Sequence, residues 1–550
     1  MLALFALASA GPSACALDVT LTAQAAAADD GDTGGDELGG ELGHDSGAPH
    51  EPGPGPEPHE PPLYCQVGPG SIDGPPPCET QWRSGQSCEL DFHPELARTW
   101  VGPEGEHSVL TTPLVLNFDD DNHDGVIDLC DRPDLIVVAA ELPKEPTQLL
   151  SPGHVYVVDG ETLTTRLRSP YPVDPTVTPA VADIDGDGDP ELVTLESQAA
   201  TPGAPRLRRL VILDHTGQMV GLGDEWHPSK GGGAVAIADL DRDGEPELLA
   251  PDFVADTHGT TLWLPTSTPE ADSSPVAIDL DLDGAQEVLF GGSAYAFDGE
   301  LRFHASPANP NGGHAAVANF DADPFPELYL QLDDHRVLEH DGSEKAHCSS
   351  GDRNHAAIAD LDGDGMAEIL YGYHDRFELL AVEGDTCSKE LSILVDEGDA
   401  RSSGTAFDLL DDGHAEMIYA DRSRLRIFAL DGSVRFESPR SARASSANPV
   451  IADIDNDGAA ELVVVSSIPY AGDLHPDIEL TPTLMVFENQ PGGFAPTRRI
   501  WNQHAYHAGS ITEDGRLPGL ELPTWRAELG FRTNPPAEDA GGMCQPPLIE

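Results

Sequence analysis

Positive charge is what this 550-residue chain has least of. Lys and Arg together number 29 against 97 Asp and Glu, a formal net charge of −68, and none occurs before Arg83. Phosphate binding needs the opposite sign, which excludes nucleic acid and anionic membrane surfaces as partners. The excess belongs to solubility and tolerance of salt, and says nothing about fold. Marks of familiar catalysis are missing too: there is no Gly-x-Ser-x-Gly elbow, no phosphate loop and no His-Glu-x-x-His helix. The eight cysteines (Cys15, Cys65, Cys78, Cys88, Cys130, Cys348, Cys387 and Cys544) show no zinc spacing.

What the chain does have is one acidic cluster written eight times, beginning at Asp120, Asp183, Asp239, Asp279, Asn319, Asp360, Asp408 and Asp453. The cleanest copy reads Asp183-Ile-Asp185-Gly-Asp187-Gly188-Asp189-Pro-Glu191, between TPAVA and LVTL. Copies set mostly 40 to 48 residues apart, and further for the first two, mean one supersecondary unit repeated.

Oxygens at positions 1, 3 and 5 of a tight loop converge on a point, and Gly at position 6 permits the turn. Six to eight oxygens at about 2.3–2.6 Å suit Ca²⁺. In this copy the roles fall to Asp183, Asp185, Asp187, the carbonyl of Asp189 and the carboxylate of Glu191. An EF-hand opens the same way, but its loop is bracketed by helices and ends on an acid at position 12. Here VAIADLD, PVAIDLD and VIADID lead in and ELLA, EVLF and ELVVV lead out, which read as strands. Only the first copy has an acid at position 12, Asp131. Thrombospondin-type calcium arrays crowd their loops far more closely. A solvated turn is the bland reading of any single copy, and eight copies in register weigh against it.

Between the clusters a second element recurs: HVYVVDG at 154–160, LVILDHTG at 210–217, AYAFDG at 294–299, RVLEHDG at 336–342 and LRIFALDG at 425–432. Each is a strand running into a hairpin signal. A unit is therefore strand, acidic loop, strand, strand, hairpin, strand, and four-stranded units of about 40–60 residues repeated radially are propeller blades. The expected fold is all-β, a single β-propeller of eight four-stranded blades, or seven if the first copy decorates the rim.

With these motifs in hand, the chain resembles the FG-GAP (VCBS-type) repeat family, the calcium-loop propeller repeats also found in integrin α heads, over about residues 110–490. The resemblance implies bound Ca²⁺ and carries ligands onto Asp120, Asn122, Asp124 and Asp128; Asp239, Asp241, Asp243 and Glu247; Asp279, Asp281, Asp283 and Glu287; Asp360, Asp362, Asp364 and Glu368; and Asp453, Asp455, Asp457 and Glu461. Two copies depart. Copy five (Asn319, Asp321, Asp323, Glu327) has Pro324 in place of the turn glycine, and copy seven (Asp408, Asp412, Glu416) has Leu410 where a ligand belongs. Both are expected to be weak or empty.

The organisation follows. Residues 1–15 form a leader, ending either in ordinary signal cleavage or in lipidation of Cys15, although the usual basic start is missing. Residues 16–62 are an acidic Pro/Gly linker expected to be disordered. A cysteine-containing lead-in covers 63–110, the propeller 111–495, and a closing segment with tail 496–550. An exported chain favours disulfides; Cys348 with Cys387 is the preferred bridge, with Cys65, Cys78 and Cys88 knotting the lead-in. In the closing segment His504, Tyr506 and His507 read either as a ligand site or as aromatic packing with satisfied histidines. Three functions remain: a calcium-dependent binding or adhesion module for a glycan or extracellular protein; a carbohydrate-active enzyme of polysaccharide-lyase type, for which His314 or His355 would serve at the central mouth; and a structural envelope component. Binding is preferred to catalysis, and a monomer touching membrane only through a lipid anchor is expected. If ligand counting is sound, Asp185→Ala should cost more thermal stability than Asp323→Ala; melting curves of the two variants check the ranking.

Overall fold

Each repeat opens with a short run of small and β-branched residues: Ala180–Ala182, Ala236–Ala238, Val276–Ile278 and Val450–Ala452 are examples. Such runs are almost wholly buried, because side chains on both faces of an inner strand are covered by neighbouring sheets. Burial then fades outward. The second strand Glu416–Ala420 is buried throughout, whereas the outer strand Val434–Pro439 of the same unit is largely exposed. Sequence polarity thus fixes which edge of each sheet faces the axis and which faces water.

In this computed structural model the described residues lie within 92–536, apart from 104, 145–149, 199–205, 270, 307–310, 322, 332–333, 351–353, 397–401, 444–446, 470–478, 520–524 and 526–529. All belong to the larger of two compact units, Leu63–Glu550. The leader, the linker, Cys15, Cys65, Cys78, Cys88 and Cys544 lie outside the described residues.

The architecture is all-β, with one short 3₁₀ turn, Ala508–Ser510, and no α-helix among the described residues. Antiparallel four-stranded meanders run over 236–263, 276–304 and 405–439. The meander over 180–222 carries an extra strand, His227–Ser229, on its third strand. Over 108–168, both Ser108–Val109 and Leu114–Leu116 pair with Asp134–Ala140. Two further meanders, over 314–350 and 356–394, are joined into one sheet by a parallel pair, His347 with Thr386. Beside that pair the expected disulfide is present: Cys348 bonds Cys387 with their Cα atoms 4.6 Å apart.

The last sheet is completed from the other end of the chain. Val450–Ala452, Glu461–Val465 and Leu484–Asn489 are joined by Pro94–Trp100, which runs antiparallel from Pro94 opposite Asn489 to Trp100 opposite Leu484. That strand lies in what the sequence reading set apart as the lead-in. Val109 N–H also donates to Ser466 O at 3.0 Å, tying the first meander to the last.

Around the axis, strand entrances are linked by short polar side chains. Ser403 N–H donates to Asn448 Oδ1 at 3.0 Å, Asn448 N–H to Thr112 Oγ1 at 3.3 Å, and Thr112 N–H to Thr178 Oγ1 at 3.4 Å. Inner strands also leave one backbone edge unpaired, and buried edges must find partners. The closing segment supplies them. Val115 and Trp501 exchange backbone bonds of 3.0 and 2.8 Å; Val181 N–H donates to Asn502 O and Ile237 N–H to Gln503 Oε1, both at 3.0 Å. Ile358 and Phe531 exchange two bonds of 2.9 Å, Thr405 Oγ1 donates to Arg532 O, and Asn534 Nδ2 to Ile451 O, both at 3.0 Å. Residues 501–503 and 531–534 of the closing segment therefore plug the axis.

Of the two readings of His504, Tyr506 and His507, packing is the one realised: all three are buried, Tyr506 stacks on Trp501 at 4.8 Å, and its hydroxyl donates to Asn534 Oδ1 at 2.8 Å. Removing residues 1–100 should leave the last sheet one strand short with a bare edge. Loss of a single cooperative transition in calorimetry, with association on size exclusion, is the expected outcome.

Candidate metal centres

The acidic loops join the inner strand of each meander to the second. Two hydrogen bonds shape them. At position 1 the carboxylate accepts the N–H of position 6: Gly125 to Asp120 at 2.9 Å, Gly188 to Asp183 at 3.0 Å, Gly244 to Asp239 at 3.0 Å, Gly284 to Asp279 at 2.9 Å, Gly365 to Asp360 at 2.9 Å, Gly413 to Asp408 at 2.7 Å and Gly458 to Asp453 at 3.1 Å. Position 6 sits at φ between 86° and 103° in all seven, a region open to glycine and costly to other residues. At position 9, Glu Oε2 accepts the N–H of position 2: Ile184 to Glu191, Leu240 to Glu247, Leu280 to Glu287, Phe320 to Glu327, Leu361 to Glu368, Leu409 to Glu416 and Ile454 to Glu461, at 2.7–3.1 Å.

Positions 3 and 5 complete each turn. Asp187, Asp243, Asp283 and Asp364 each accept a backbone N–H two residues on, at 2.8–2.9 Å, while Asp185, Asp241, Asp281 and Asp362 accept from position 5 at 3.2 Å. The result is convergence. Carboxylate oxygens come within 4.8 Å of one another in Asp183, Asp185 and Glu191; in Asp239, Asp241 and Asp243; in Asp279, Asp281 and Glu287; and in Asp360, Asp362 and Glu368. Every donor is a hard oxygen, with no thiolate or imidazole among them, and such a set suits Ca²⁺ rather than a softer metal. The residues present fit the ion.

The first loop is built differently. Its buried carboxylate is Asp131, which accepts the N–H groups of Asp121 at 3.1 Å, Asn122 at 3.2 Å and Asp128 at 2.9 Å, and so does the work of the ninth-position Glu. Asp128 turns instead to Cys130 N–H at 2.7 Å. Asn122 accepts from Asp124 N–H at 2.8 Å. In the eighth loop Asp455 accepts from Asp457 N–H at 3.3 Å and Asp457 from Ala459 N–H at 2.8 Å, and Arg98, on the strand from the chain's start, reaches Asp455 at 3.0 Å. In the seventh, Asp412 accepts from His414 N–H at 3.1 Å and Leu410 offers no side-chain oxygen.

Crowding of like charge has a titration signature. Burial first, and the loop aspartates in addition, push Glu191 up to about 8 and Glu247, Glu287, Glu327, Glu368 and Glu416 up to about 7. The same causes take Asp453 up to about 7 and hold Glu461 well above the carboxylate range. Asp131 rises to about 6 on burial.

His314 and His355, considered above for a central mouth, do not open onto one. Their rings meet at a tilt of 43° with centroids 4.1 Å apart, the His355 ring lies 4.5 Å from that of His504 in the plug, and all three are buried.

Fold and loops together define a class: an all-β, propeller-like ring of four-stranded meanders with acidic cages on its inner turns. The family model described as an FG-GAP-like repeat matches residues 408–464, the span of the seventh and eighth acidic loops. Among solved structures it is similar to the biofilm matrix protein Bap1 of V. cholerae, at 20% identity and a TM-score of 0.66 over 81% of this chain and 100% of that one. A rhamnogalacturonan lyase of Bacillus licheniformis aligns at 15% identity and a TM-score of 0.48 over 72% of this chain and 75% of that one, too loosely to bear on activity. No curated protein sequence matches.

An acid whose folded-state value is raised binds its proton more tightly in the fold. That stabilisation is present below the unfolded value and is lost as pH climbs through the folded one. Metal-stripped protein should therefore lose melting temperature between about pH 5 and 8, the window set by Glu191 and its counterparts. Thermal melts across that range check it, and a flat or rising profile would contradict it.

Proposed function

We propose that this protein is an exported, calcium-stabilised, eight-bladed β-propeller acting as a binding module for a glycan or protein at a cell surface or in an extracellular matrix. The observation that carries the reading is the repeated cage: the same two hydrogen bonds gather hard-oxygen carboxylates at the same turn of successive meanders. The eight-bladed reading is supported by the meanders, with the two that share the disulfide taken separately and the last completed by Pro94–Trp100.

Calcium is favoured because the donors are all oxygen and because extracellular modules of this kind work at about 10⁻⁴–10⁻³ M. Export is favoured by the apolar leader and the disulfide. Bap1 is a biofilm matrix protein, and the likeness in fold makes a matrix or surface role the natural one to test first. A plugged axis takes away the central mouth that the lyase reading needed, so the loops on the faces of the ring are the surface left for recognition.

Chelation should lower the melting temperature, and elemental analysis should find several calcium ions per chain. An unchanged melt in excess EGTA together with no bound calcium would sink the reading. A glycan array run beside a screen for unsaturated uronate products separates binding from catalysis; array hits without product are expected.

A further inference from the structure

The fifth loop breaks both rules of its counterparts at once. Pro324 at position 6 has no N–H to give and its ring holds φ negative, so the bond that every other loop makes to its first residue cannot form. Asn319 stands at that first position, and its amide turns inward: Nδ2 donates to Asp323 O at 2.8 Å while Oδ1 accepts Asp321 N–H at 2.9 Å. An inward amide N–H is a donor where a cation needs an acceptor.

Asp321, Asp323 and Glu327 nevertheless remain, joined by Glu339 just past the third strand, Asp334–Leu338, and Glu327 is fully buried. Their counter-charge comes from the same unit. Lys345, second residue of the outer strand Glu344–Ser350, sends Nζ into the cluster, where it donates to Asp321 Oδ2, to Glu339 Oε1 at 3.0 Å and to Glu327 Oε1 at 3.4 Å. Its side chain is only 8% exposed. Three carboxylate partners use the three donors of an ammonium, and a buried charge held by partners on several sides is a satisfied one.

We infer that the ammonium of Lys345 is the resident cation of the fifth loop, which is therefore a calcium-independent joint in a calcium-loaded ring. A contrast within the chain supports this. Arg302 and Arg435 hold the same second position on their own outer strands, Leu301–His304 and Val434–Pro439, yet their ion pairs are with the ninth-position Glu, at 3.5 Å from Glu287 and 2.8 Å from Glu416, and their side chains are 43% and 35% exposed. Lys345 alone of the three reaches a position-3 aspartate. The joint between the units over 276–304, 314–350 and 356–394 would then hold its geometry when calcium falls.

This inference rests on the calcium reading of the other loops, and the test separates the two. Native mass spectrometry of the full chain in calcium counts ions in the wild type, in Asp185→Asn and in Asp321→Asn. The expected result is one ion fewer for Asp185→Asn and an unchanged count for Asp321→Asn. Loss of one ion from Asp321→Asn would show the fifth loop loaded and overturn the inference; no ions in the wild type would instead overturn the calcium reading. As a second measurement, Lys345→Met should melt at a lower temperature than wild type even in EGTA, because its carboxylates then lack any counter-ion. Equal melts in EGTA would count against the lysine.

Discussion

Carboxylates brought within 4.8 Å of one another, on turns half withdrawn from water, repel, and successive units of this ring are built around that problem. The loops sit where the inner strand turns into the second, so an open loop means a misplaced pair of core strands. Backbone N–H groups answer part of the repulsion at positions 1 and 9. Cations from neighbouring segments answer another part: Arg516 of the closing segment comes within 3.5 Å of Asp183, and Arg242 of the third loop within 3.8 Å of Asp279 in the fourth. What remains is charge that a divalent ion would take up, and its binding would then be linked to folding.

Ring closure is the second constraint, and it is bound to the first. An open row of sheets would expose two terminal edges, and the chain covers both by returning its start to its end. Arg98 sits on that returning strand. It donates to Gly160 O at 3.1 Å in the first meander, contacts Glu488 at 2.7 Å in the last, and reaches Asp455 of the eighth loop. Nearby, Asn456 Nδ2 donates to Asp131 O at 2.8 Å, so the first and eighth loops meet across the seam. The first and eighth loops are accordingly tied to closure of the ring, while loops in the middle of the chain meet their neighbours in the next unit, as Gln286 N–H does in donating to Leu240 O at 2.7 Å.

Much of this was legible in the chain because its determinants are local. The loop spacing, the inner-strand runs and the Asp-Gly hairpins each lie within about a dozen residues, and they fixed the unit, its strand order and the bridge from Cys348 to Cys387. Long-range pairings were not legible. Pro94–Trp100 reads PELARTW, with a polar, largely exposed face, and nothing in it points to a partner near the other end of the chain. Asp131 was visible only as an acid in an odd register; its three N–H donors depend on the longer first loop. The plug, rich in Asn, Gln and His, resembles a binding site because the groups that satisfy it are backbone edges, which have no sequence.

Lys345 shows the same limit from another side. In sequence it is an ordinary residue of an outer strand, and only the meander brings it to a loop 18 residues back. Yet the seat it uses is built into the repeat: position two of the outer strand faces the ninth-position Glu in several units. Copy seven uses the seat as well. There Leu410 removes the position-3 carboxylate and Arg435 lies 2.8 Å from Glu416, so a lost ligand and a built-in cation again occur together. A repeat that offers such a seat can answer the charge of its loop carboxylates with a side chain unit by unit, while keeping the strand geometry.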